Sequence, residues 1–148
     1  MGNKSLWLIA AITFTLDLAL KYFIPEASAT LIPGVLALNT TKNTGFALGL
    51  LPGGAWIALV FSALIVAGIL FLLARVRVRG LAGVALGLLI GGALGNLYDR
   101  LFLGYVRDMF ELLFMNFYIF NIADVGVTVG VLLAAVSLLF FGKEWQKK

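Results

Sequence analysis

Two aspartates, Asp108 and Asp124, stand beside the ends of long apolar runs, each within a short polar cluster. A carboxylate next to hydrocarbon is unfavourable unless it is paired or faces water, so such acids indicate function. Two neighbouring carboxylates share one proton, which raises one apparent pKa and lowers the other. The ionised member can activate a water while the protonated member hydrogen-bonds a carbonyl group. The two acids therefore indicate an acid–base dyad, with the protonated member left open.

The residue types that are missing narrow the chemistry further. The 148 residues include no histidine and no cysteine, which excludes a thiolate nucleophile, a disulfide framework and a histidine base. We expect no metal and no cofactor. The net charge is +4, but the basic residues cluster at the ends of apolar segments, where orientation in the membrane accounts for them. We therefore predict no nucleic-acid partner.

The composition is that of an integral membrane protein, with 62% hydrophobic and 12% charged residues. We predict one domain over residues 1–148, an all-α membrane protein with four transmembrane helices and a small extracytoplasmic β platform between helices 1 and 2. The first span is expected to remain as a membrane helix because it carries Asp17 and Lys21. The predicted spans are residues 6–24, 55–74, 81–98 and 122–141.

The distribution of basic residues predicts the orientation. Seven flanking basic residues fall on one side of the membrane, namely Lys4, Arg75, Arg77, Arg79, Lys143, Lys147 and Lys148. The other side has Lys42, Arg100 and Arg107. The positive-inside rule then places both termini in the cytoplasm and the segments 25–54 and 99–121 outside.

The two outer segments differ in pattern. Residues 30–39 and 45–50 are predicted to form short strands of the β platform, joined by a polar turn at 39–44. Residues 103–119 are half apolar and are predicted to lie in the membrane interface. The glycine-rich third span is typical of close helix packing.

Polar side chains inside the spans have both structural and functional interpretations. Asp17 and Lys21 share a helix face and are predicted to form a structural ion pair. A second set is predicted to form one polar stripe leading to the outer surface; it consists of Gly92, Asn96, Asp99 and Arg100. Taken alone, the last two residues also fit an ordinary helix-end pair.

Asn121 and Asp124 lie one turn apart at the start of the fourth span. Helix capping is the simple alternative for Asn121, since Asn and Asp are favoured at helix N-termini. Capping explains Asp124 less well because it lies a turn inside the helix. Taken alone, Asp108 fits a solvated acid in a loop. Its membership of a short polar cluster favours a functional role instead.

Five blocks in order resemble the lipoprotein signal peptidase (signal peptidase II) family, bacterial membrane aspartyl peptidases. They are Asp17-Leu-Ala-Leu-Lys21, Asn43-Thr-Gly-Phe-Ala47, Gly92-Ala-Leu-Gly-Asn96-Leu-Tyr-Asp99-Arg100, Val106-Arg-Asp108-Met-Phe110 and Phe120-Asn121-Ile-Ala-Asp124. The resemblance covers residues 17–124. The sequence departs from the common family pattern at Leu18, Leu20 and Val125, which leaves both aspartates intact.

The resemblance implies that Asp108 and Asp124 are catalytic and that the enzyme cuts prolipoproteins before a diacylglyceryl-modified cysteine, at the outer face of the bacterial cytoplasmic (inner) membrane. It also implies sensitivity to globomycin-type inhibitors. We expect a monomer in contact with membrane lipid. Segment 25–54 would form a β-cradle and segment 103–119 a mobile arm. The implied substrate-binding residues are Asn43, Gly92, Asn96, Arg100 and Asn121. We expect a structural or supporting role for Asp17, Lys21 and Asp99.

Two other classes fit the composition. A four-helix transporter would use the aspartates as a proton or cation relay, although Asp108 and Asp124 lie near the predicted surface rather than at mid-span. An assembly subunit would use its polar residues only to hold helices together. That class leaves the ordered blocks unexplained.

Overall fold

A computed structural model describes residues 4–24, 26, 28–45 and 54–148. Within them the long helices are α1 (Lys4–Phe23), α2 (Ala55–Arg75), α3 (Gly80–Leu103) and α4 (Ile122–Phe140). The strands are β1 (Ser28–Ile32), β2 (Leu36–Asn43), β3 (Val76–Val78), β4 (Val106–Leu112) and β5 (Trp145–Lys147), and a 3₁₀ turn covers Gly142–Glu144.

Four helices in the described residues are long and apolar enough to cross a membrane, which confirms the predicted spans of a multi-pass membrane protein. Their outward faces carry exposed leucine, valine and phenylalanine side chains. The boundaries differ most in α3, which continues through Leu103 instead of ending at residue 98. Gly104 ends it with φ at 78°, a left-handed conformation that suits glycine. Asp99 and Arg100 therefore belong to the helix and not to a loop.

Helix α3 lies at the centre of the bundle and packs closely on α1 and α4. A Cβ atom placed on Gly87 or Gly91 would lie 2.7 or 2.6 Å from a backbone oxygen of α1. A Cβ on Gly92 would lie 2.4 Å from the Ala123 carbonyl oxygen of α4. The prediction that the glycines of this span serve close helix packing is confirmed.

A three-stranded antiparallel sheet, in the order β1-β2-β4, lies at one end of the bundle. The predicted strand over 30–39 is wrong, because the chain reverses at residues 33–35, where Gly34 has φ at 71°. The predicted polar turn at 39–44 is also wrong, since residues through Asn43 belong to β2 and pair with β4. Residues 46–50 of the other predicted strand lie outside the described residues.

The third strand of this sheet comes from the segment 103–119, for which no strand was predicted, and the predicted place of that segment in the membrane interface stays a prediction. Residues 106–112 of the segment 103–119 form β4 and pair with β2, with Lys42 opposite Arg107. Val106 and Met109 are buried. The sheet therefore combines strands from two connections, α1 to α2 and α3 to α4, and is not confined to the first one.

A second, two-stranded sheet of β3 and β5 lies where α3 begins and α4 ends. It places Glu144 against the first turn of α3, where the carboxylate accepts the amides of Ala82 at 2.8 Å and Leu81 at 3.1 Å. These bonds hold the pKa of Glu144 below its usual value. A carboxylate distant in sequence thus caps a helix that lacks a capping side chain of its own. This cap was not predicted from the sequence.

The close contact at Gly92 gives a stability prediction. Gly92→Ala forces α3 and α4 apart and should cost about 1–3 kcal/mol, the usual range for overpacking. Thermal unfolding of the detergent-solubilised protein measures the effect. Gly68→Ala on α2 is the matched control, because nothing lies within 4 Å of its added Cβ atom. Equal unfolding midpoints for the two variants would contradict the prediction.

Candidate active site

Asp108 lies on β4 and is 2% exposed. It stands opposite Thr41 of β2, so Asn43, two residues along β2, lies on the same face of the sheet. Asn43 Nδ2 donates to Asp108 Oδ2 at 2.9 Å. Asn121 Nδ2, from the start of α4, donates to Asp108 Oδ1 at 2.6 Å. Two amide donors from separate elements therefore fix this carboxylate.

Asp124 lies in the first turn of α4 and takes part in a capping box. Its amide donates to Asn121 Oδ1 at 2.9 Å, and its Oδ2 accepts the amide of Asn121 at 3.2 Å. Its Oδ1 accepts from Asn96 Nδ2 of α3 at 2.7 Å. The capping interpretation of Asn121 is confirmed, and the same side chain also contacts Asp108. The side chain that caps α4 therefore also belongs to the candidate site.

The electrostatics of Asp108 indicate a carboxyl group close to another. Burial, followed by the charge of Asp124, raises the pKa of Asp108 to about 7. Hydrogen bonds from Asn43 and Asn121 and the charge of Lys21 act in the opposite direction. Asp108 can therefore hold a proton near neutral pH, as a group that hydrogen-bonds a carbonyl oxygen requires.

Behind this pair lies a network of two buried acids, the buried Lys21 and the partly exposed Arg107. Lys21 Nζ lies 2.7 Å from Asp17 Oδ2 and 3.3 Å from Asp99 Oδ2. Arg107 NH2 lies 2.7 Å from Asp99 Oδ1. The predicted Asp17–Lys21 ion pair is confirmed. Asp99 pairs with Lys21 and Arg107, so the helix-end pair with its sequence neighbour is wrong.

The network ties the site elements together through the backbone. Asp17 Oδ1 accepts the amide of Ala123 at 2.9 Å, which fixes the first turn of α4. Asp99 Oδ2 accepts the amide of Arg107 at 3.0 Å, which fixes β4 next to Asp108. Both members of the aspartate pair are therefore adjacent in sequence to a residue held by a buried carboxylate.

Both aspartates line a cavity of about 620 Å³. Its wall combines the polar side chains of the site with apolar side chains of the helices, such as Phe61, Ile65 and Val127. A second cavity of about 560 Å³ also contacts Asp108, and Lys21, Lys42 and Arg107 line it. Within the described part of the chain, no cluster of three or more acidic, cysteine or histidine residues could hold a metal ion.

The structure brings most of the predicted site residues together. Five of them line the larger cavity: Asn43, Asn96, Arg100, Asp108 and Asp124. Asn121 is fully buried behind them, and Gly92 packs on α4. The predicted single stripe divides, because Asp99 faces Lys21 and Arg107 while Arg100 lines the cavity.

A role for Arg107 in the site was not predicted from the sequence. Charge balance could have indicated one, since two buried acids, Asp17 and Asp99, need more than the single cation Lys21.

The fold and site define a multi-pass membrane protein with two aspartates facing one cavity. The family model described as Signal peptidase (SPase) II matches residues 9–140. A lipoprotein signal peptidase of Lactiplantibacillus plantarum is 45% identical over 115 residues, 76% of each chain. Another, from Desulfitobacterium hafniense, is 36% identical over 148 residues, with 96% of this chain and 97% of the relative covered.

The comparison with solved structures also finds a membrane enzyme of the same fold. A bacterial membrane enzyme solved by the in meso method at 2.3 Å resolution superposes with a TM-score of 0.80 at 32% identity, covering 89% of this chain and 85% of that one. The chain therefore belongs to the signal peptidase II family, a family of membrane peptidases. Membership leaves the transporter and assembly-subunit alternatives without support.

The raised pKa of Asp108 leads to a spectroscopic prediction. Infrared titration of the buried carboxyl C=O stretch should show a group with a midpoint near pH 7. Asp124→Asn removes a neighbouring negative charge and should lower that midpoint, while burial keeps it above 3.8. Glu111→Gln, on the same strand, is the control and should leave it unchanged. A midpoint insensitive to Asp124→Asn would show that the two carboxyl groups do not interact.

Proposed function

We propose that this protein is an aspartic endopeptidase that removes signal peptides from diacylglyceryl-modified prolipoproteins by cutting before the lipidated cysteine. The observation that carries the proposal is the aspartate pair facing one cavity, with Asp108 raised in pKa by burial and by Asp124. Family membership supports the substrate class, because the relatives are named lipoprotein signal peptidases.

In the proposed mechanism the two aspartates have different roles. Asp124 is the ionised member and takes a proton from a bound water. Asp108 is protonated and hydrogen-bonds the scissile carbonyl oxygen, so the water attacks a polarised carbon. The raised pKa of Asp108 supports this assignment. The tetrahedral intermediate then collapses as a proton passes to the leaving amine, and no metal or cofactor takes part.

The larger cavity is lined both by apolar side chains of α2 and α4 and by polar side chains, which supports the proposed substrate orientation. An apolar signal helix would lie against α2 and α4, and the scissile peptide would lie beside the aspartates. Asn43, Asn96 and Arg100 line the same cavity and would bind the peptide backbone, with Asn121 behind them. We assign Gly92 an indirect role, because its contact with Ala123 sets the spacing of α3 and α4.

The proposed orientation places the three-stranded sheet and the aspartates at the outer face of the bacterial cytoplasmic membrane. The opposite end of the bundle carries most of the basic flanking residues, which favours both termini in the cytoplasm. Residues 1–148 act as one domain and as a monomer in contact with lipid. The prolipoprotein substrate is confined to the same membrane by its signal helix and acyl chains, which reduces the entropy cost of binding. A globomycin-type cyclic peptide would compete for the cavity.

Cleavage of a diacylglyceryl-modified prolipoprotein by the purified protein, followed by gel shift and mass spectrometry, tests the proposal. Wild type should cut immediately before the lipidated cysteine. Asp108→Asn and Asp124→Asn should each lower kcat by at least about 100-fold, as expected for loss of acid–base catalysis. The wild-type rate should fall as pH rises through about 7, because Asp108 loses its proton.

Glu111→Gln controls for carboxylate loss on the same strand, outside the cavity, and should retain wild-type cleavage. All variants are compared at equal folded fraction, measured by thermal unfolding. Wild-type cleavage elsewhere in the substrate, or near-normal turnover by either asparagine variant, would contradict the proposed specificity or the proposed dyad.

A further inference from the structure

We infer that Lys21 is a positioning residue for catalysis: by donating to Asn96 it fixes the amide orientation of Asn96, and through it the donors that face Asp124 and Asp108. This inference deepens the proposed function and rests on it. Lys21 belongs to α1, which contributes no side chain to the larger cavity in the described residues. Its effect on the reaction would be transmitted through hydrogen bonds and charge.

The donor count of Lys21 is the first step. An ammonium group has three N–H donors and no acceptor. Lys21 Nζ has three acceptors within reach: Asp17 Oδ2 at 2.7 Å, Asp99 Oδ2 at 3.3 Å and Asn96 Oδ1 at 3.2 Å. The side chain is fully buried, so these acceptors take the place of water. The group facing Lys21 on Asn96 must therefore be the oxygen.

The amide of Asn96 follows from that constraint. With Oδ1 turned to Lys21, Nδ2 points to Asp124 Oδ1 at 2.7 Å. The flipped amide would set two donors against each other at Lys21 and two acceptors at Asp124. Without Lys21 the flipped amide of Asn96 would no longer face a second donor, so one of the two unfavourable contacts is lost. Lys21 thus selects the orientation that donates to the proposed base.

Asn121 extends the relay to the other aspartate. Its Nδ2 donates to Asn96 Oδ1 at 3.0 Å and to Asp108 Oδ1 at 2.6 Å. Its Oδ1 accepts the amide of Asp124 at 2.9 Å, which fixes its orientation as well. Asn96 Oδ1 is accordingly shared by Lys21 and Asn121. One buried cation is therefore linked to both members of the pair by two asparagines.

The charge of Lys21 supplies a second, measurable signature. It lowers the pKa of Asp108, so its removal should raise that pKa and move the alkaline limb of the rate profile to higher pH. The other charged groups around Asp108 do not change in the comparison below. They are Asp124 on α4, Asp99 and Arg100 on α3, Lys42 on β2 and Arg107 on β4.

The experiment compares Asp17→Asn with the double variant Asp17→Asn, Lys21→Met. Removing Lys21 alone would leave Asp17 as an unpaired buried carboxylate, whereas the double variant removes one charge of each sign. The Asp17→Asn side chain retains an oxygen acceptor for the Ala123 amide in both proteins. The difference between them isolates Lys21. The substrate is the diacylglyceryl-modified prolipoprotein in detergent, assayed across the neutral pH range on both sides of the Asp108 midpoint.

The expected result is a fall in kcat of about tenfold, equivalent to one catalytic hydrogen bond, with little change in KM. The alkaline limb and the infrared midpoint of Asp108 should both move to higher pH. Identical kcat, pH profile and infrared midpoint in the two proteins would overturn the inference. Loss of folded fraction with an unshifted profile would do the same, because it indicates a purely structural role.

A milder substitution at Lys21 provides the test if the variant with Lys21→Met does not fold. Lys21→Gln keeps an N–H donor but loses the charge, so Asp17→Asn, Lys21→Gln should show the same shift in pH profile with a smaller loss of kcat. An unshifted profile in this variant would also overturn the inference. Folded wild-type protein that does not cleave would refute the proposed function instead, and the infrared comparison would still report on the relay.

Discussion

Burial of charge is the constraint on which the rest of this structure depends. Asp17 and Asp99 have no exposed surface, and each must be compensated by a cation or a donor. Lys21 contacts both, and Arg107 completes the balance at Asp99. Because these four residues come from α1, α3 and β4, pairing their charges also fixes those elements relative to one another. Removing one partner would leave a buried charge uncompensated, which is far more unfavourable than the loss of a surface ion pair.

Small residues make that pairing geometrically possible. Glycines on opposite sides of α3 let α1 and α4 approach its backbone, and a Cβ atom on Gly95 would lie 2.5 Å from Asp17 Oδ2. The bundle can therefore place a carboxylate of α1 against α3 and, through the Ala123 amide, against α4. Close packing and charge compensation support each other, and the start of α4, which carries Asp124, is held by both.

Several features followed from local sequence because their causes are local. The apolar runs predicted four spans, and the four-residue spacing of Asp17 and Lys21 predicted their ion pair. The capping of α4 by Asn121 follows from helix-end preferences. The strands were predicted poorly: the turn at Gly34 was missed, and no strand was predicted at β4. Pairing of β4 with β2 joins residues far apart in the chain, such as Asn43 and Val106, and no local pattern reports such a partner.

The sequence by itself determined the chemical types and the membrane setting: no cysteine, no histidine, two aspartates in polar clusters and four apolar spans. Only the tertiary structure decided that Asp99 turns to Lys21 and Arg107 and that Glu144 caps α3. It also decided how Asn96 and Asn121 orient between the buried cation and the two carboxylates. The reason is physical: a residue type fixes which bonds are possible, whereas burial and three-dimensional proximity fix which of them form.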